Sequence, residues 1–482
     1  MASLLDGGEP QVLWHYFLAL ARIPRGSRHE SAAADWVAAQ GRALGCAVAR
    51  DAVGNVRLRK PACPGREDRP GLALQAHVDM VCEKNEGTAH DFLKDPIPVY
   101  RDGDLLRARG TTLGADNGIG VAAALAVLAS PEIQHGDLEV LITVDEETGM
   151  TGAFGLPQGW LRSAYLLNLD SEVEGELIIG CAGGTDTVAR RRIAWVAPMA
   201  GRVPVRVRVY GLKGGHSGMD IAANRGNAIR ILAEVLAALG ERVQWQLARV
   251  DGGNKRNAIP REAAAVLFVR REDEALLRAE VARLAGEWQA AFGPFSPQLA
   301  MAVEPWTATR AMADADASAV LGLLLAGPHG VEAMSPDLHG LVQTSTNLGV
   351  VATGEDAVEV GFLSRSALDS ARQALARRCA AVARLAGFEA DFEAGYPGWR
   401  PVPDSDLVRL CDRVHRQVTG QPMVIKALHA GLECGLFTER LPGVQMASLG
   451  PSMWDVHTPD ERVSIASVAN FWRLLVAIVA AV

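Results

Sequence analysis

The chain has 482 residues, 49% hydrophobic and 22% charged, with 56 acidic against 48 basic side chains and a net charge of −8. That length exceeds what one core fills, so two or three domains are expected, and the composition is that of a folded globular protein. The acidic balance argues against nucleic acid or an anionic membrane as the main partner, because both reward basic faces.

Seven scattered cysteines with no Cys-x-x-Cys pair fit reduced thiols in a cytoplasmic protein and speak against a thiolate zinc site. The start of the chain shows no basic-then-apolar leader, and residues 10–23 alternate as an amphipathic helix does. At the other end, residues 468–482 are strongly apolar but short for a membrane span and carry Asn470 and Arg473, so a docked core helix is expected.

In chain order, residues 1–185 alternate short apolar strands with helices, the pattern of an α/β sheet. Segments 24–30, 61–70 and 85–104 read as surface loops, and residues 72–76 as a strand running into His77. Residues 118–128 form a small-residue helix after a loop rich in Gly and Thr, and strands 138–144 and 165–169 end in Asp145 and Asp170. The run 140–149 is the most informative: a wholly apolar strand ends in Asp145, Glu146 and Glu147 and then a glycine turn. Acids packed at a strand tip need a cation opposite them, and ligands of such sheets gather where strands end. His77, Asp79, Glu146, Glu147 and Asp170 are therefore expected at one rim.

From residue 186 the texture changes. The basic run Arg190-Arg191-Arg192 reads as a solvated strand edge. Alternation over 203–209 marks a half-buried strand, followed by a helix at 227–239, strands near 244–250 and 262–269, a helix at 272–291 and a strand near 297–304. That order, βαββαβ, is ferredoxin-like. Much of it repeats as a helix near 313–325, strands near 341–350 and 357–364, a helix near 367–386 and a strand near 388–393. After Pro401-Val402-Pro403 the first texture returns with a helix at 405–419, a strand at 441–449, a loop and the terminal helix. The expectation is one discontinuous α/β domain, 1–185 plus 402–482, interrupted by a two-lobed insertion at 186–401.

Within this frame, His77 and Asp79 face the same side of a strand, so the aspartate can orient the imidazole. Asp116 opens a helix after the loop 110–115, and His457 follows a strand and a glycine loop that return it to the rim. Taken singly, these positions also read as a hydrogen-bonded histidine, an N-cap aspartate or a solvated acidic turn. Together, His77, Asp116, Glu147, Asp170 and His457 supply two imidazoles and three carboxylates, a set suited to zinc, with cobalt or manganese as substitutes. Five such groups serve two ions only if one is shared, and Asp116 is the natural bridge. Glu146 and Glu147 diverge at a strand end, so one can ligate while the other reaches the attacking water as general base.

The runs HVDMV, GADNGIG, VDEETGMTGA, NLDSE, GLKGGHSG and VHTPDE, in that order, resemble the motifs of the M20 metallopeptidase family, and most closely its aminoacyl-histidine (Xaa-His, carnosinase-like) dipeptidases. The likeness runs from about residue 10 to 475. It implies a zinc-peptidase-like α/β/α catalytic domain interrupted by a ferredoxin-like α+β lid. One ion would be bound by His77 and Asp170 and the other by Glu147 and His457, with Asp116 bridging and followed by a cis peptide. Glu146 would be the base for a hydroxide held between the ions, with Asp79 orienting His77. His216 would stabilise the oxyanion, Asn257 would contact substrate, and Arg365 and Glu433 would bind its terminal carboxylate and free amine respectively. Lid closure would bring His216 and Arg365 to the substrate. The expected protein is a cytoplasmic di-zinc dipeptidase, monomer or homodimer, acting on unblocked dipeptides without nucleic-acid or membrane partners. An M20 deacylase or aminoacylase, or an inactive metal-bound scaffold, are the alternatives.

Overall fold

The computed structural model describes residues 9–393 and 395–482. The chain divides into two compact units, Met1–Gly180 with Trp399–Ala427 and Leu432–Val482, and Cys181–Gly398 with Leu428–Gly431.

The first unit is built on an eight-stranded sheet. Its strands run, edge to edge, Ala47–Arg50, Val56–Lys60, Leu138–Thr143, Leu72–His77, Tyr165–Asn168, Gln445–Ser448, Glu176–Cys181 and Val424–Leu428. The four central strands, from Leu138–Thr143 to Gln445–Ser448, are mutually parallel. Leu72–His77 and Leu138–Thr143 are buried at every position, which explains why they are runs of apolar residues without alternation. Helix Ala115–Ala129 packs on Leu72–His77 and on helix Gln11–Leu20, and its Ala-rich sequence permits that close approach. The terminal helix Ile465–Ala481 is capped by Ser464 and buries Val468, Phe471, Leu475 and Ile478, as expected for a docked helix. Among the described residues, no helix is long and apolar enough to cross a membrane.

This unit departs from the sequence reading at several points, and strand Val99–Asp102 lies within the segment 85–104 read there as a surface loop. The strand expected at 441–449 is short, Gln445–Ser448, and is preceded by a helix, Glu433–Arg440. Strands Glu176–Cys181 and Val424–Leu428 have no counterpart in that reading. Segment 24–30 is not simply a surface loop, because Arg25 and Glu30 are buried.

The second unit carries a nine-stranded sheet in which two βαββαβ repeats lie side by side. One repeat has the strand order Ala300–Pro305, Arg202–Tyr210, Ala263–Arg270, Trp245–Gly252, and the other Val342–Thr353, Ala357–Ser366, Gly183–Arg192, Glu389–Phe392. The first strand of the second repeat, Gly183–Arg192, thus precedes the whole of the first repeat, which is inserted behind it. This strand is missing from the sequence reading, whose 185/186 boundary cuts through it. It pairs with Ala357–Ser366 along its length and with Glu389–Phe392 as far as Arg190, so of the basic run only Arg190 is flanked on both sides. Arg191 instead donates to Asp316 at 2.9 Å and to the Gly387 carbonyl at 2.6 Å. The repeats join where Gly252 pairs with Val351, reinforced by Thr353 bonding to the backbone of Val250. One hydrophobic core runs beneath both, from Val205 and Leu247 to Val360 and Phe362.

Candidate metal centre

His77 is the last residue of its strand and Asp79 follows two residues later. Asp79 is fully buried and collects four partners: His77 Nδ1 at 3.3 Å, the Ser27 hydroxyl at 2.7 Å, and the backbone N–H groups of Glu146 at 3.0 Å and Glu147 at 3.2 Å. These charge-assisted contacts hold Asp79 at about 2, despite its burial. One carboxylate therefore positions both the His77 imidazole and the backbone carrying the two glutamates.

The acidic run is not the plain glycine turn that the sequence suggests. Asp145 adopts a left-handed conformation (φ 54°) and Glu146–Gly149 form a single helical turn. Asp145 turns toward Thr148 and Thr151, leaving Glu146 and Glu147 to serve the rim. Asp116 follows the left-handed Gly114 (φ 68°), and the Asp116–Asn117 peptide is cis, as the resemblance implies. The Asn117 side chain donates to Leu169 O at 2.8 Å, which ties this turn to the chain just before Asp170. His457 lies in the loop between the paired strands Met453–Trp454 and Arg462–Ser464, at φ 63°.

These elements converge. His77 Nε2 lies 3.1 Å from Asp116 Oδ1 and 3.4 Å from Asp170 Oδ1, while His457 Nε2 lies 3.1 Å from both Asp116 Oδ2 and Glu147 Oε2. The two oxygens of Asp116 thus face different histidines. Three overlapping groups, His77–Asp116–Asp170, His77–Glu146–Glu147 and Asp116–Glu147–His457, keep their ligand atoms within 4.8 Å of one another.

The electrostatics are those of a cation site. Hydrogen bonds to Asp116 and Glu147 push His457 up to about 11. Burial works against His77, yet Asp170, Asp116 and Asp79 raise it well above its ordinary value. Burial, opposed by His77 and reinforced by Glu433, Glu147 and Asp116, pushes Glu146 up to about 8. Glu147 Oε1 and Asp170 Oδ1 are buried without a hydrogen-bond partner. Orphaned carboxylate oxygens are costly unless a cation meets them, so this donor set fits divalent ions.

Glu433 is almost wholly buried. One of its oxygens accepts from Gln75 Nε2 at 2.7 Å and Thr143 Oγ1 at 2.8 Å, and the other has no hydrogen-bond partner. Several contributors are missed by sequence reasoning: Ser27, Arg25, Glu461 and Glu172, the last pushed up to about 7 by burial and nearby acids. Glu461 and Glu172 sit within the VHTPDE and NLDSE runs, whereas Arg25 carries no signal.

In the second unit, His216 Nδ1 accepts the N–H groups of Gly218 (3.3 Å) and Met219 (3.1 Å), which leaves its proton on Nε2. Burial and the neighbouring Arg365 lower His216 to about 4, so the ring is neutral. Arg365 donates to Ser217 Oγ at 3.3 Å and to Tyr396 OH at 2.9 Å, and its Nη2 is 3.4 Å from His216 Nε2. Asn257 has an exposed side chain, and its carbonyl accepts the Ser217 N–H at 2.9 Å, so His216, Asn257 and Arg365 share one neighbourhood.

Residues 73–481 match the profile of Peptidase family M20/M25/M40. The cytosol non-specific dipeptidase of Escherichia coli is 41% identical over 474 residues, 98% of each chain. A crystal structure of aminoacylhistidine dipeptidase from Vibrio alginolyticus is 43% identical and superposes with a TM-score of 0.92, covering 99% of this chain and 98% of that one. The aminopeptidase PepT of Bacillus cereus, at 18% identity and a TM-score of 0.56, shares the fold.

Proposed function

We propose that this chain, which belongs to peptidase family M20/M25/M40, is a cytoplasmic di-metal dipeptidase acting on unblocked dipeptides, Xaa-His among them. The observation that carries the reading is Asp116, whose two oxygens each face one histidine while orphaned carboxylates close in around them. The similar proteins named for non-specific and for aminoacyl-histidine dipeptidase activity support the substrate class. Seven free cysteines and a relative named for the cytosol support the location.

His77 and Asp170 would hold one ion and Glu147 and His457 the other, with Asp116 between them. Zinc suits this N/O set, with cobalt or manganese as substitutes. Two such ions, when bound, polarise the scissile carbonyl and acidify water. Glu146 takes the proton of the attacking water as the C–O bond forms and passes it to the amine nitrogen as the C–N bond breaks. A carboxylate buried among other acids can both take up and release a proton. Asp79 fixes Glu146 through its backbone N–H and His77 through Nδ1.

In the lid, the Nε2 proton of His216 is the donor for the developing oxyanion and Arg365 the guanidinium for the terminal carboxylate. Asn257 contacts the substrate, and the unpartnered oxygen of Glu433 supports a role toward its free amine. The acting form is a monomer or homodimer that needs neither nucleic acid nor membrane.

The test is a zinc-reconstituted assay on Ala-His, β-Ala-His and acetyl-His, with Glu146→Ala as control. Cleavage of the free dipeptides but not acetyl-His is expected, and Glu146→Ala should cost on the order of a thousandfold in turnover with metal content intact. Preference for acetyl-His would make the protein a deacylase. No hydrolysis of any of the three would favour a metal-bound scaffold.

A further inference from the structure

The turn that carries Asp116 is gripped from two sides by charged residues that the proposed chemistry does not use. Glu461 is 2% exposed and directs its carboxylate into residues 113–116. Oε2 accepts the N–H groups of Leu113 at 2.7 Å and Gly114 at 2.9 Å, and Oε1 accepts those of Ala115 at 2.7 Å and Asp116 at 3.4 Å. Arg25, likewise 2% exposed, holds the opposite side. Its Nη1 donates to Val78 O at 2.9 Å and Asp79 O at 3.0 Å, and its Nη2 to Gly114 O at 2.5 Å. Gly114 is thus held through both its N–H and its carbonyl. A Cβ there would meet Arg25 Nη2 at 2.5 Å.

A buried carboxylate facing successive backbone N–H groups is costly to desolvate and is offset only by charge-assisted bonds. A turn that merely needed closing would not require that charge. What sets Glu461 apart is where else it is attached. Its own N–H donates to Thr458 O at 3.1 Å, and the Thr458 hydroxyl holds Asp455 O at 2.7 Å, so Glu461 also pins the loop bearing His457.

The two candidate ion positions depend on this grip unequally. His77 and Asp170 are supported by strand ends, with His77 side-chain exposure of 1%. His457 stands on a loop with 48% side-chain exposure. The Asp116–Glu147–His457 position therefore relies on Glu461 for two of its ligands, and the His77–Asp116–Asp170 position for one.

We propose that Glu461, with Arg25 as its counter-grip, is a positioning residue that sets how tightly the Asp116–Glu147–His457 position holds its divalent ion. The inference rests on the di-metal reading above. Its test is Glu461→Gln in the full chain, which keeps the side-chain length but sets an amide NH₂ against N–H donors. Zinc is titrated calorimetrically into chelator-treated protein, and thermal unfolding of the metal-free form is followed in parallel. One of the two binding steps should weaken ten- to a hundredfold, as is usual for a lost outer-shell partner, while the other changes by less than about threefold. Turnover should return at excess zinc. Equal weakening of both steps would overturn the proposal, as would unchanged steps with only a lower melting temperature. Should Glu461→Gln not fold, Glu461→Asp, shorter by one methylene, must show the same selective loss in milder form or the proposal falls. Fewer than two zinc ions on the unmodified protein would instead refute the di-metal reading itself, and this inference with it.

Discussion

Asp79→Asn is the substitution that asks most of the centre while changing least in shape. Asp79 Oδ1 serves Glu146 N–H and lies near His77 Nδ1, and Oδ2 serves Glu147 N–H and the Ser27 hydroxyl. With asparagine, one oxygen remains for Glu146 N–H, but an NH₂ group faces Glu147 N–H and Ser27. The serine hydroxyl can rotate and accept, whereas the Glu147 N–H cannot, so one buried donor loses its partner at about 1–3 kcal/mol. Loss of the charge weakens the surviving bond and the contact with His77 by about 1 kcal/mol each. The metal-free protein should therefore lose about 3–5 kcal/mol, read from urea midpoints at constant slope. Metal affinity should fall ten- to a hundredfold because His77 loses its orienting partner. Turnover at saturating zinc should still fall about a hundredfold, because Glu146 is anchored by its own N–H to this carboxylate. An Asp79→Asn protein with metal affinity, turnover and stability all within about threefold or 1 kcal/mol of the parent would refute the orienting role.

The remaining predictions are simpler. Three histidines of the second unit, His429 buried and His216 and His329 half-buried, are neutral: desolvation, reinforced by neighbouring cations, lowers His329 and His216 to about 4 and His429 to about 3. Folded values below the ordinary 6.5 mean that the unfolded chain binds protons first as pH falls. Stability is then complete above about pH 6.5 and is lost toward pH 4, with His329 alone contributing about 3 kcal/mol. A His329→Gln variant whose denaturation midpoint falls as steeply as the parent's between pH 7.5 and 4.5 would contradict this. Chelation should lower the melting temperature, because ions held at a hundred times their dissociation constant add about 2.7 kcal/mol; an unchanged transition in calorimetry would count against bound metal. Phe362→Ala, in the core under both repeats, should cost about 3–5 kcal/mol, and a loss below 1 kcal/mol in urea unfolding would mean that the core repacks around it.

The candidate metal ligands are legible because each terminates an apolar strand or follows a glycine loop, and strand tips of a parallel sheet share one rim. The nested lobe is not. Gly183–Arg192 begins with glycines and ends in arginines, so its central place shows only once two partners flank it. Nor can pattern reading find Arg25, whose role comes from three carbonyls supplied by Val78, Asp79 and Gly114. Glu461 is visible as a motif letter, but four consecutive N–H groups turned toward it belong to backbone geometry that side-chain periodicity does not encode.

Strand Gln445–Ser448 enters the first sheet between Tyr165–Asn168 and Glu176–Cys181, strands made more than two hundred residues earlier. During synthesis those earlier strands must wait with unpaired edges until the late segment emerges from the ribosome, only a few residues before His457. A translation product abandoned early therefore lacks both the wedge that closes its sheet and the imidazole of the candidate centre. An unfinished copy is marked by sticky edges at the same moment that it is chemically incomplete.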